Sequence, residues 1–501
     1  MAEERYVRQR TLNPISSYLH KVFLNEKLNN WVGYLLLVFI AVGFGYLVAT
    51  DFKIGVGILG GVIGLSAIIL CITNPEIGLY MNLAYVFMAS FLGRLLFNGN
   101  FPFGVVTDIL VVSTFFGLLI GKYNLKKTTG IFLSRKPVLF FVVILIYLCF
   151  QIANPAAHSF QGWIHIIRKV LESILLLFIA YNVFTDHQKI WRFLKVLFGF
   201  AVLAGFYGCI QQWHGLFPFE INWVHSDPIR LELIYIWGIY RKFSFFSGPT
   251  EFGIIMGACS LLFMILGINQ KKPLNKYILI IGSIIMMMGM SYSGTRTANA
   301  MLVGGIGLFV LLTINKRSTK IFAFFALMAF LFIMYAPIYS SAAILRFRTS
   351  FSGSEDASYN VRERNRAAIQ PYIYKHPFGG GLSTTGEMGK KYNPGHALAG
   401  FPTDSSYLNK ALETGWIGFG LTLVLYFVTL QYAIQGFFKA RSNQVKMMFA
   451  AIAAFAFSFY IGEIAQEAIG LFVNMVVYFP VVAILIRLKE LGIREIKQEV
   501  H

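Results

Sequence analysis

Residues 277–314, YILIIGSIIMMMGMSYSGTRTANAMLVGGIGLFVLLTI, decide the fold. One apolar run covers 277–292 and another 298–314, and the whole connection between them is Ser-Tyr-Ser-Gly-Thr-Arg-Thr (291–297). Hydrocarbon offers backbone amides no partners, so a crossing segment must bond within itself, as a helix of about 20 residues does. The stretch therefore reads as a hairpin of two membrane-crossing helices. Lys271, Lys272 and Lys276 stand before it, and Lys316, Arg317 and Lys320 follow it. Short basic loops stay on the cytoplasmic side, which leaves the turn carrying Arg296 external.

Extended outward, the same reading finds about 14 spans, near 32–50, 54–72, 77–93, 103–121, 137–153, 163–183, 193–211, 250–268, 277–292, 298–314, 321–339, 415–436, 447–462 and 469–486. Basic residues fill alternate turns. Arg5, Arg8, Arg10, Lys21 and Lys27 precede the first span; Lys122, Lys126, Lys127, Arg135 and Lys136 follow the fourth; Lys189, Arg192 and Lys195 follow the sixth. Lys439, Arg441 and Lys446, then Arg487, Lys489, Arg494 and Lys497, close the series, while the short turns between hold Lys53, Arg94 and Arg296. Both termini are expected to be cytoplasmic, and the N-terminus to stay attached, since no small-residue cleavage site follows its first apolar run.

Composition supports the membrane reading. The chain is 56% hydrophobic and 13% charged, whereas soluble domains carry about 25% charged residues. The formal charge of +20 is scattered in short clusters between apolar runs, which topology explains and a nucleic-acid partner does not. Cys71, Cys149, Cys209 and Cys259 lie in apolar stretches with no CxxC pair, so they read as free, buried thiols without a disulfide or metal role. The organisation that follows is a cytoplasmic tail (1–31), eleven spans with an external loop at 213–248 (32–339), a large external segment (340–413), three more spans (414–486) and a cytoplasmic tail (487–501).

Two segments, 213–248 and 340–413, break the basic-inside rule. A loop beyond about 15 residues is usually functional, and the second has helix signals: Asn360 with Glu363 forms a capping-box pattern before Val361 to Gln370. Arg362 and Arg366 are four apart and share a face, where paired guanidiniums suit phosphate oxygens. A solvated basic face is the alternative for them. Arg296 at the membrane edge is expected to face a cavity or a partner, or else to be an interfacial anchor snorkelling outward, and Arg241 just before the next span is an anion ligand or an interfacial residue. In Tyr-Lys-His-Pro-Phe-Gly-Gly-Gly-Leu-Ser (374–383) the glycines form a tight turn or let amides approach a phosphate; the motif lacks a P-loop's ending. His376 there is a turn residue or a secondary catalytic candidate.

Asp404 precedes a helical run and is either its N-cap or a general base. His396, Tyr407 and Glu413 are lesser candidates. Arg168, Lys169 and Glu172 lie on one face of a span and suggest a local ion pair, whereas Glu463 and Glu467, near an external helix end, suit a solvated place equally well. No His, Cys, Asp or Glu cluster has metal-ligand spacing, so no metal or cofactor is expected.

Taken together, Ser-Tyr-Ser-Gly-Thr-Arg (291–296), the arginine helix followed by His-Pro-Phe-Gly-Gly-Gly (362–381), and Asp-Ser-Ser-Tyr-Leu with Glu-Thr-Gly-Trp-Ile-Gly (404–418) resemble the O-antigen ligase and O-antigen polymerase superfamily. The resemblance covers about the C-terminal half. It implies an all-α integral membrane glycosyltransferase of GT-C-like architecture, acting without metal or nucleotide sugar. The implied reaction moves an oligosaccharide from a polyprenyl-diphosphate carrier to a sugar hydroxyl on the external face of the bacterial cytoplasmic membrane. Ligases of the superfamily usually carry His-Asn where this chain has Asp404-Ser405, which favours a polymerase. Asp404, Arg296 and Arg366 would then be catalytic, with Arg241 and Arg362 also on the diphosphate. The implied partners are the lipid-linked oligosaccharide, a glycan acceptor, membrane lipid and a chain-length regulator. A ligase acting on a lipid or protein acceptor is the nearest alternative. A lipid-linked oligosaccharide flippase is the rival from another class, although transporters often show repeated halves and this chain instead gathers its unusual residues in one segment.

Overall fold

In a computed structural model the described residues are helical almost throughout, with one two-stranded hairpin. The structure describes residues 30–499 apart from 51, 98, 100, 101, 122, 124, 237, 338–341, 352–356 and 404. Asp404 and the basic residues Arg5 to Lys27 of the N-terminal tail therefore lie outside the described residues.

Each of the expected spans falls in a helix. They are α1 (Trp31–Thr50), α2 (Phe52–Thr73), α3 (Pro75–Phe97), α4 (Phe103–Ile120), α6 (Lys136–Phe150), α7 (Phe160–Val183), α8 (His187–Trp213), α11 (Pro249–Ile268), α12 (Pro273–Ser293), α13 (Arg296–Thr313), α14 (Arg317–Tyr335), α18 (Ser406–Lys439), α19 (Asn443–Ala465) and α20 (Phe472–Glu499). Among the described residues eleven helices are long and apolar enough to cross a membrane. Helices α1 and α2 contribute shorter apolar stretches, and α7 is interrupted by Arg168, Lys169 and Glu172. The chain is an all-α, multi-pass membrane protein.

The shorter helices are α5 (Leu125–Leu133), α9 (Pro218–His225), α10 (Pro228–Ile234), α15 (Ala342–Thr349), α16 (Ala357–Lys375) and α17 (Gly386–Tyr392). The hairpin, β1 (Tyr235–Ile236) with β2 (Ile239–Tyr240), pairs Tyr235 with Tyr240. Both long segments that break the basic-inside rule are thus built structures.

Two compact units divide the chain: residues up to Asn82 with Gly104–Thr129, and Leu83–Phe103 with Gly130–His501. In the first, Gly117 lets α4 approach the end of α2, since a Cβ there would lie 2.7 Å from the Cys71 carbonyl oxygen. In the second, α11, α19 and α20 are the most enclosed. Small residues make that closeness available. Ala450, Ala451, Ala453, Ala454 and Ala456 of α19 are all buried, and a Cβ on Gly208 of α8 would strike the Phe252 ring of α11 at 2.4 Å.

Several local expectations change. Helix α16 begins at Ala357, so Asn360 already lies inside it and makes no capping box. Cys149 is exposed, unlike the other three cysteines, because α6 turns that face outward. Arg94 is no turn residue: it sits in α3, 3% exposed, and donates to the Ser244 and Phe246 carbonyls at 2.6 and 2.5 Å. Lys169 reaches across to Glu467 at 3.7 Å.

Candidate active site

The Ser-Gly-Thr-Arg turn is the first element of the site. Helix α12 ends at Gly294, whose left-handed φ of 61° suits glycine best. Thr295 follows as N-cap of α13, and its hydroxyl donates to the Pro249 carbonyl at 2.9 Å. A Cβ on Gly294 would lie 2.2 Å from Nη1 of Arg346, so the glycine is needed for approach as well as conformation.

Arg241 comes to the same turn from the other side. Its Nε donates to the Ser293 carbonyl at 2.9 Å, its Nη2 to the Thr295 hydroxyl at 3.1 Å and its Nη1 to the Leu233 carbonyl at 3.3 Å. Burial, then repulsion from Arg346 and Arg296, brings its pKa down to about 10. Burial and Arg296 lower Arg346 in the same way. At neutral pH all three guanidiniums stay charged, so the turn gathers three like charges from the 241 loop, α13 and α15. Such crowding costs energy that an anion among them would return.

The loop bearing Arg241 is held from below. Gln211 Oε1 accepts from the Ser244 amide at 2.8 Å, while its Nε2 donates to the buried Glu220 at 2.7 Å. Glu251 accepts from the Ser247 hydroxyl at 2.6 Å and the Val473 amide at 2.9 Å, tying the loop to the start of α20.

Of the other sequence candidates, Arg366 is exposed and donates to the Ile464 carbonyl at 3.4 Å. Arg362 lies in α16, and its side chain is outside the described residues. Charge repulsion thus links Arg296 with Arg241 and Arg346, and a hydrogen bond links Arg366 to the end of α19. Ser405, one residue past Asp404, is the N-cap of α18, accepting from the Leu408 amide. The capping role proposed for Asp404 is therefore filled by its neighbour. Tyr407 donates to the Tyr460 carbonyl at 2.9 Å.

The triple glycine is not a phosphate cradle. The amides of Gly379, Gly380 and Gly381 go to the carbonyls of His376, Leu412 and Glu413 at 2.9, 2.7 and 2.9 Å. Helix α18 breaks at Gly415 (φ 65°, ψ −168°), where a Cβ would lie 2.0 Å from the Pro377 oxygen. The two glycine motifs exist for each other: each lets the other's backbone come close.

His376 and His396 meet around Tyr372. The Tyr372 ring stacks on His376 at 4.0 Å between centroids. A carbonyl only accepts, so His376 Nδ1 carries the proton it shares with the Tyr372 oxygen at 3.0 Å. His396 Nδ1 accepts from the Leu398 amide at 3.1 Å, which places a neutral ring's proton on Nε2, 3.5 Å from the Tyr372 hydroxyl. Burial, then His376 and His158, lowers the His396 pKa. Both histidines are half-buried.

A cavity of about 420 Å³ opens between α6, α7, α18, α19 and α20. Its lining combines polar Thr385, Asn409, Lys410 and Glu413 with apolar Phe141, Leu177, Phe479 and Val482. Glu413 accepts from the Thr385 hydroxyl at 2.7 Å and amide at 3.2 Å. Glu463 is not solvated but fully buried, bonded to Lys410 at 2.7 Å and to the Ala468 and Ile469 amides at 2.9 and 2.8 Å. Sequence reasoning did not single out Lys410 or Arg346. Arg346 had a legible signal, as a basic residue in a segment that breaks the basic-inside rule.

No curated protein matches the chain. Residues 281–423, which run from the arginine turn through α16 and the glycine loop to the kinked α18, match the O-antigen ligase family model. In that segment the chain is similar to the O-antigen ligase family, which supports a membrane enzyme that transfers glycans.

Proposed function

We propose that this protein moves an oligosaccharide from a polyprenyl-diphosphate carrier to a sugar hydroxyl on the external face of the bacterial cytoplasmic membrane, as a polymerase. The observation that carries the reading is the crowding of Arg241, Arg296 and Arg346 on one turn. In the reaction the bond from the anomeric carbon to the diphosphate oxygen breaks and a bond to the acceptor oxygen forms. The acceptor's proton passes to a base, for which Asp404 is the proposal. Guanidiniums preorganised at the departing diphosphate stabilise the charge that develops there, with Arg362 and Arg366 assisting from α16, and in this role they do what a divalent metal does elsewhere.

The cavity of mixed lining supports a lipid-linked substrate, its polar residues suiting sugar hydroxyls and its apolar ones an isoprenoid chain. The basic-inside pattern supports the external placement of residues 340–413. A ligase would share this donor side and differ in its acceptor, so the products distinguish the two. Purified protein in detergent is incubated with lipid-linked repeat units and the products are resolved. Elongated glycan is expected, undiminished in chelator, with a strong loss in Arg296→Lys and Arg346→Lys, which keep charge but lose the planar fork. Wild-type turnover in both variants would refute the arginine reading, and glycan transfer absent under all conditions would favour a flippase.

A further inference from the structure

A second cavity, of about 560 Å³, lies between the starts of α8 and α19, among residues that the transfer reaction does not use. Its volume falls within the about 300–1,000 Å³ usual for small-molecule sites. His187, Trp191, Arg192 and Lys195 come from α8, and Ser442 and Gln444 from the start of α19. The ionised side chains of this lining are cations, and it contains no carboxylate. The nearby acid, Asp186, is turned to the Lys189 amide at 2.9 Å as the cap of α8.

The surroundings add to the charge. Lys316 donates to the Asn443 side chain, and burial followed by repulsion from Lys446 lowers its pKa. Ser442 makes no side-chain cap for α19, so the positive end of that helix also borders the cavity. Val445 and Met448 complete the lining with apolar surface.

The position selects the ligand. Both α8 and α19 pass here from polar residues into membrane-length apolar sequence, which puts the cavity at the boundary of hydrocarbon and water. Tryptophan is favoured at that depth, and basic pockets between spans on the cytoplasmic side take anionic lipid headgroups. The Lys and Arg pattern assigns these turns to that side. We infer that this cavity binds the phosphate headgroup of an anionic phospholipid, held by Arg192 and Lys195, with the glycerol and first acyl carbons against Trp191, Val445 and Met448. The site is independent of glycan transfer, because it shares no residue with the arginine turn or the first cavity.

The test uses native mass spectrometry of the full chain released from nanodiscs of phosphatidylglycerol and phosphatidylcholine. Wild type should retain phosphatidylglycerol in preference, and Arg192→Gln with Lys195→Gln should weaken that retention by about thirtyfold. Glycerol 1-phosphate without acyl chains should not displace the lipid. Circular dichroism confirms that the double variant is folded. If it is not, each single substitution is read instead, with an expected loss of about fivefold. Equal retention of the two lipids by wild type, or unchanged retention in the folded variants, would overturn the inference, and displacement by glycerol 1-phosphate would reassign the cavity to a free phosphate.

Discussion

Glu463→Gln tests whether the Lys410–Glu463 charge pair in the lining of the 420 Å³ cavity is a coupled, buried ion pair. Gln keeps the shape of Glu463 and still accepts from the Ala468 and Ile469 amides, but it leaves the Lys410 ammonium without its carboxylate at 2.7 Å. Breaking a dry pair costs about 3–5 kcal/mol. Here the Glu463 side chain is 0% exposed but that of Lys410 is 31% exposed, so water entering from the cavity solvates the orphaned cation and holds the cost near the lower end, about 3 kcal/mol. Lys410→Met alone leaves the buried carboxylate with the Tyr426 hydroxyl and two amides. The double variant removes both charges, and most of the penalty should return. The measurement is a double-mutant cycle on unfolding in detergent, followed by circular dichroism. A coupling energy of about 2 kcal/mol is expected. If Glu463→Gln costs under about 1 kcal/mol, or if the two single costs simply add, the pair carries no special weight and the reasoning from burial fails.

Asp404→Asn should lower transfer about 100-fold or more if Asp404 is the base, while thermal stability stays at the wild-type value because Ser405 supplies the cap; wild-type turnover would move the role to His396. Gly415→Ala should destabilise the enzyme by more than the ~1 kcal/mol of a left-handed non-glycine, since its Cβ would also meet the Pro377 oxygen; an unperturbed melt would contradict the interlocked-glycine account. His396 has a depressed folded pKa, so the folded chain binds its proton less readily than the unfolded chain. The stability from this residue is complete above the ordinary imidazole value of 6.5 and declines as pH falls below it. Melts at pH 5 and 8 should show a smaller difference in His396→Asn than in wild type, and an equal difference would exclude His396 as the titrating group.

The fold was legible from the sequence because the bilayer imposes its constraint along the chain. Each crossing must satisfy its own amides, so runs such as 277–292 and 298–314 declare themselves as helices without knowledge of their neighbours. The turn at 291–296, helices within 340–413 and the choice of Arg241 and Arg296 as candidates came from the same local logic. The structure alone decided which side chains meet, because that depends on how helices rotate and pack against one another. It brought Arg346 of α15 against Gly294, buried Glu463 beside Lys410, and used the amides of Gly380 and Gly381 on the backbone of α18. Glu463 shows the difference most directly: at the end of a span its sequence suits a solvated residue equally well, and only the approach of α18 across α19 removes its water and supplies the ammonium that replaces it.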